Sequence, residues 1–360
     1  MPAPMTRRDQ GGFVLVIVLA LLVVLTLMAA AVATSGSRAV AEAQAEVDRF
    51  QGEMDMQSTG ETVMFMLATQ RRNLGGLMVD ASAPVTLEML DEDGGSRVIP
   101  LGNEIRLDSS AYAGLGDAVF AVQDDRGLLS PNWATESMRS AFYAARGAAP
   151  GEWSGLEAKR LDYQDPDSLH RLAGAEKDHY EKQGLPPPSN RPVATPLEFR
   201  RIMGWDRLFE GMDDAELLGL LSSSRGGTIN LNTAPARVLA LIPGMNPAEA
   251  ERLAALRRQA PLTSVWALQQ SFPIAPFMME GLTLFPNQSG NLILWDRRSG
   301  GKKLVHWRLT PLAIGGPPWQ IDYEVILPRD NQSDDAVAEA PATPLLAPQD
   351  AAGKGLQPGT

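Results

Sequence analysis

The sequence predicts an α+β protein held by one long N-terminal membrane helix, with a large α-helical domain inserted into it. Three observations point there. An uncharged apolar run lies near the N-terminus, short strand-like segments follow it, and a proline-broken helical stretch separates those from a second set of strands. At 360 residues the chain has room for roughly two or three domains with cores of their own. It contains no cysteine, which excludes disulfide frameworks, zinc ribbons and thiol nucleophiles. A formal charge of -11 argues against a general nucleic-acid binder, because neutralising phosphates needs an excess of Lys and Arg. It suits a body facing water, with carboxylates available to cations.

Between Phe13 and Ala33 no residue is charged and Thr26 is the only polar side chain. At about 1.5 Å per residue a helix of this length spans roughly 30 Å, the thickness of a bilayer core. Arg7 and Arg8 stand just before it, which keeps the N-terminus cytoplasmic and sends the bulk of the chain across the membrane. A buried helix of a soluble protein could be as apolar, but the terminal position speaks against it. A cleaved secretory signal is a second alternative, with residues 29–33 as its cleavage region. Its apolar stretch is usually shorter, about 7–15 residues.

The third alternative comes from Gln10, Gly11, Gly12 and Phe13, where a short basic leader ends in glycine and phenylalanine opens the apolar run. That arrangement resembles the class III signal of type IV pilins and pseudopilins, and the downstream sequence favours it. The resemblance implies that residues 1–12 are a leader and that prepilin peptidase cuts after Gly12 and methylates Phe13. The transmembrane helix, 13–33, would be kept. Most pilins carry a glutamate at the fifth mature position, which here is Ile17. A carboxylate in hydrocarbon is costly unless paired, as with the amino terminus of a neighbouring subunit. A subunit with no neighbour above it does better without one, so Ile17 fits a filament tip. Among pseudopilins the missing glutamate marks the K component.

Residues 34–129 are expected to hold an amphipathic helix and the first part of an α+β domain. Val40, Val47, Phe50, Met54, Met64 and Leu67 form an apolar stripe that continues the membrane helix, unless Gly36 is a hinge. Turn chemistry at residues 73–76 ends it. Strands are expected at 85–90, 98–101, 104–107 and 118–122, with a hairpin at 93–96. Residues 130–272 read as the inserted α-helical domain, and residues 273–329 return to strands at 282–285, 292–295, 303–309 and 320–326. From 330 to 360, Ala, Pro, Asp, Gln and Gly dominate and aromatic residues vanish, the composition of a disordered tail.

The helical stretch carries the most specific features. They are the segment 124–132, Asp162 to Asp167, residues 174–176, Tyr180, the prolines at 186–188, Asn190, residues 197–200, and the run 229–235 followed by 238–245. In that order and spacing they are similar to the K family of type II secretion minor pseudopilins. The resemblance implies a pilin-like fold: a long N-terminal transmembrane helix packed on a small antiparallel sheet, bearing a helical insert. It also implies a non-enzymatic tip subunit that starts pseudopilus assembly with the I and J components. Its further partners would be the major pseudopilin and prepilin peptidase. The chain would be a single-pass protein of the inner membrane with its soluble part in the periplasm, supporting export of folded proteins.

Two motifs admit other meanings. Residues 233–258 read as a helix-hairpin-helix, a unit that can hold a DNA phosphate on backbone N–H groups at its glycine turn. Glu249 and Glu251 sit where the phosphate would lie, while Arg252, Arg257 and Arg258 come later. A membrane-tethered helix-hairpin-helix DNA-binding protein is therefore the rival function, and no nucleic acid is expected. Asp162, Asp165 and Asp167, with Glu176 nearby, put several carboxylates on one loop, a repulsion that a hard cation relieves. A solvated acidic loop is the plain alternative, and the spacing is not that of an EF-hand. The family resemblance implies calcium in the helical domain.

No signature of an enzyme stands out. His170 and His179 lie nine apart, away from the i, i+4 spacing of a zinc helix, and His306 is isolated. Neither a nucleophile elbow nor a phosphate loop occurs. A secreted hydrolase using an unmarked carboxylate pair is the remaining rival.

Overall fold

The computed structural model describes residues 11–79, 99–313, 315–328 and 337–346. The chain divides into two compact units, residues 1–51 and 52–360. The first helix, α1 (Gly11–Thr69), runs unbroken through Gly36.

In the first unit, the helix beyond Val14 is long and apolar enough to cross a membrane, with mean hydropathy 3.2 in its most apolar window. Its side chains, Ile17 among them, are exposed. Thr26 satisfies its hydroxyl on Val23 O at 2.8 Å and Thr34 on Ala30 O at 2.9 Å, so neither brings an unpaired polar group into the apolar stretch. Val40, Val47 and Phe50 are also exposed. The apolar stripe expected from the sequence therefore has two fates. Met64 and Leu67 enter a core, while Met54, although in the second unit, stays exposed.

In the second unit Met56, Val63, Met64, Met66 and Leu67 of α1 are buried against a five-stranded antiparallel sheet. The strands are β3 (Asp108–Ala113), β4 (Ala118–Asp124), β7 (Ser289–Asp296), β8 (Lys302–Leu309) and β9 (Trp319–Ile326), paired in that order. Side chains alternate across β4. Phe120 and Val122 join the helix-facing core with Leu292, Leu294 and Trp307, while Val119 and Ala121 pack on the other face with Trp295. A smaller pair, β1 (Leu77–Met78) and β2 (Glu104–Ile105), is antiparallel.

β4 and β7 are neighbours from Ala118↔Asp296 to Asp124↔Gly290, so residues 125–288 are inserted between two adjacent strands. This segment holds α2 (Glu136–Ala145), α3 (Trp153–Asp162), α4 (Lys177–Lys182), α5 (Asp214–Leu218), α6 (Ala236–Leu239), α7 (Pro247–Gln259) and α8 (Val265–Leu268). Its core is aromatic. Trp205 is buried among Phe142, Tyr143, Phe199 and Phe209, and its indole N–H donates to Leu156 O at 3.0 Å.

Four points differ from expectation. Residues 99–101 are not strand, and Leu282–Thr283 (β6) pairs in parallel with β5 (Ile229–Asn230) inside the insert instead of joining the main sheet. β3 was missed because Asp-Ser-Ser-Ala-Tyr-Ala has almost no β-branched content; it pairs irregularly, with Ser109 at φ 66°. The tail is not uniformly structureless, since residues 337–346 lie against β3. The strand expected at 85–90 and the hairpin at 93–96 lie outside the described residues.

Candidate functional site: the helical insert and its junction with the sheet

The insert leaves the sheet through two consecutive buried aspartates. Asp124 caps a short 3-10 turn, accepting from Arg126 N. It also accepts from Asn287 N at 2.7 Å and from Asn230 Nδ2 and Thr233 Oγ1, both at 2.9 Å. Burial pushes its carboxyl up to about 6 despite these four donors. Asp125 points elsewhere, accepting from Ser222 Oγ at 2.9 Å and Ser289 Oγ at 2.5 Å, with His306 Nε2 at 3.1 Å. Gly127 follows because a Cβ there would stand 2.8 Å from Thr233 O and against the Gln123 amide. The 124–132 and 229–235 motifs are thus two halves of one polar pin joining insert to sheet.

Asn232 extends the pin. Its amide donates to Leu74 O and Leu262 O, both at 3.0 Å, and accepts from Leu262 N at 2.8 Å. All this is main-chain and amide bonding between buried residues, where each unmade bond is expensive.

The hairpin of α6 and α7 is packed into the body. Gly244 at its turn has φ 98°, and a Cβ there would collide with Pro273 O. Ala275 N donates to Pro243 O at 3.1 Å, so the 273–275 strand of chain lies over the turn. Arg257 is buried, donating to Leu231 O at 2.9 Å and Ala234 O at 2.5 Å; burial pushes its guanidinium down to about 10. Arg252 bonds Ser271 O at 2.6 Å and covers the Phe272 ring. Both arginines hold the hairpin together.

The acidic loop between α3 and α4 gathers three of its four expected residues. Oxygens of Asp165, Asp167 and Glu176 all lie within 4.8 Å of one another. Glu176 is 3% exposed, and neither of its oxygens makes a hydrogen bond of ordinary geometry among the described residues. Burial, with Asp162, Asp165 and Asp167 around it, pushes its carboxyl above the usual range. Asp165 Oδ1 is likewise enclosed without a partner. Asp162 is spent differently: Arg171 Nη1 at 2.5 Å takes Oδ1 and the Arg171 amide at 3.0 Å takes Oδ2. Arg171 also pairs with Asp165 Oδ2.

Asn190 was not expected at this loop. Its amide N–H donates to Tyr163 O and its side-chain N–H to Asp167 O, leaving a buried Oδ1 without a partner. Its φ of 49°, which Asn tolerates better than most residues, holds it there. Sequence alone marked Asn190 only by its place in a motif. Orphaned carboxylate and amide oxygens are the donor chemistry of a hard divalent cation.

Gly12, Phe13 and Ile17 all fall within α1. His170 and His179, distant in sequence terms, have ring centroids 5.3 Å apart, and His179 Nδ1 accepts from Glu176 N at 3.2 Å.

These features define a class: an α+β protein with one helix fit to cross a membrane and an α-helical domain set between neighbouring strands of its sheet. Residues 229–277, from the second half of the polar pin through the hairpin, match the family model described as type II secretion system (T2SS), protein K. Over that segment the chain is similar to protein K of type II secretion systems. A similar solved structure is a chain in the crystal structure of the GspK–GspI–GspJ complex from the enterotoxigenic Escherichia coli type 2 secretion system. It is 14% identical, with 81% of this chain and 99% of that chain covered and a TM-score of 0.47. No curated protein matches the sequence.

Proposed function

We propose that the chain is a type II secretion minor pseudopilin of the protein K kind, which stands at the tip of the pseudopilus, starts its assembly and supports export of folded proteins across the outer membrane. The observation that carries this is the protein K match falling within a large insert that is pinned to the sheet by buried hydrogen bonds. A rigid bulky domain at that position limits growth above it, and Ile17 leaves no carboxylate needing a neighbour's amino terminus. The chain is anchored in the inner membrane by α1 with residues 52–360 in the periplasm, after cleavage following Gly12 and methylation of Phe13. Its partners are other minor pseudopilins, those equivalent to the I and J components, together with the major pseudopilin and prepilin peptidase. The work is assembly, not catalysis.

Calcium belongs to the insert in this account. Asp165, Asp167 and Glu176 would hold it, and the ion would neutralise three crowded carboxylates and fix the loop. The DNA-binding rival loses ground at the hairpin, where Pro273 covers the glycine turn and Arg257 is consumed inside. Removing the chain from a host with an intact export system tests the function. Export and recovery of assembled pseudopilus should both fall sharply, and unchanged export would overturn the proposal.

A further inference from the structure

β3 is an edge strand, and an edge strand presents a row of unpaired N–H and C=O groups. Part of that row is taken by the chain's own C-terminal region. Ala338 bridges Tyr112 in parallel; Ala113 N donates to Ala338 O at 2.9 Å and Ala338 N donates to Ala111 O at 3.0 Å. The flanking side chains reach both faces of the sheet. Val337 packs with Val119, Ala121 and Trp295, while Ala340 and Leu346 pack on the helix-facing core.

The grip is short. Ala338 is the one bridging residue among the described residues of this segment, and Pro341 and Pro344 carry no N–H to extend the ladder. A cavity of about 520 Å³ remains between residues 339–346 and Ala113 and Gly114. Two main-chain bonds and a few apolar contacts are what a peptide exchanging on and off a sheet edge would make.

We propose that the outer edge of β3 is a strand-addition site for an extended, small-residue peptide, and that residues 337–346 are its intramolecular occupant. While they are in place, the edge is closed to a strand from another chain. The proposal does not depend on the assembly role.

Hydrogen exchange at the Ala113 amide in the full chain, held in detergent, provides the test. Truncation after Pro328 should speed that exchange about tenfold or more, the equilibrium equivalent of losing one to two backbone hydrogen bonds. Adding a synthetic peptide of residues 333–348 in trans should restore slow exchange. Ala338→Pro in the uncut chain, which removes the donor to Ala111 O, should produce the same acceleration and covers the case in which the truncated chain does not fold. Unchanged exchange in Ala338→Pro, or a truncated chain indifferent to the peptide, would overturn the proposal.

Discussion

His306 Nε2 lies 3.1 Å from Asp125 Oδ2, tying the middle of β8 to the first residue of the insert. The opposite nitrogen, Nδ1, lies 3.1 Å from Asp322 Oδ2 on β9, and the Tyr323 ring stacks on the imidazole at 4.7 Å. Arg308 also pairs with Asp322. A ring that bonds a carboxylate at each nitrogen is a donor twice over, which is the imidazolium form.

Burial alone would push His306 down; the hydrogen bonds and charges of Asp125 and Asp322 outweigh it and raise it above its usual value. A base raised in the folded state adds stability that is complete below the unfolded value of 6.5 and is lost as pH rises through the folded one. His306→Gln should therefore cost about 1–3 kcal/mol in acid, by taking a charged partner from the buried Asp125 carboxylate. The cost should shrink as pH rises. Urea midpoints of both chains across pH 5–9 decide this, and a pH-independent difference would refute it.

Asp124 predicts a second pH effect in the same direction. Its carboxyl stands at about 6 against an ordinary 3.8, so the folded chain holds a proton that the unfolded chain has released. Stability then falls between those values as pH rises, by on the order of 3 kcal/mol. Asp124→Asn should flatten that segment of the stability–pH curve while lowering stability overall, since two amide donors would face one another at Asn230.

Calcium should raise the melting temperature of the purified chain, and chelation should reverse the rise. Glu176→Gln should abolish the effect, because Glu176 is the most buried of the three grouped carboxylates. Asp162→Asn should behave differently, lowering basal stability through the lost Arg171 contacts while keeping most of the calcium response. Equal loss of response in both variants would mean that Asp162 is also a ligand.

Gly127 permits the close approach of the turn after β4 to Thr233. Gly127→Ala should destabilise by about 1–3 kcal/mol, the usual range for forcing extra volume into a packed interior. Thermal unfolding reads it directly.

Strands 118–122, 292–295, 303–309 and 320–326 were legible because apolar residues alternate or cluster in them, and the insert was legible from its prolines and helical spacing. β3 was not, because pairing there is carried by the backbone of a small-residue segment. The acidic loop was found as a cluster, but its division of labour was hidden: Arg171, nine residues away, claims Asp162, and Asn190 arrives from beyond a proline-rich loop. His306 looked isolated for the same reason. Its partners stand 181 and 16 residues away, a relation that only strand pairing and the insert's return create.

The central claim is that this is a processed, membrane-held pseudopilin, and the most direct test is the N-terminal mass and membrane partitioning of the mature protein from its native host. The account predicts a chain beginning at methylated Phe13 that stays with the inner membrane. A soluble chain beginning near Ser35 would contradict it.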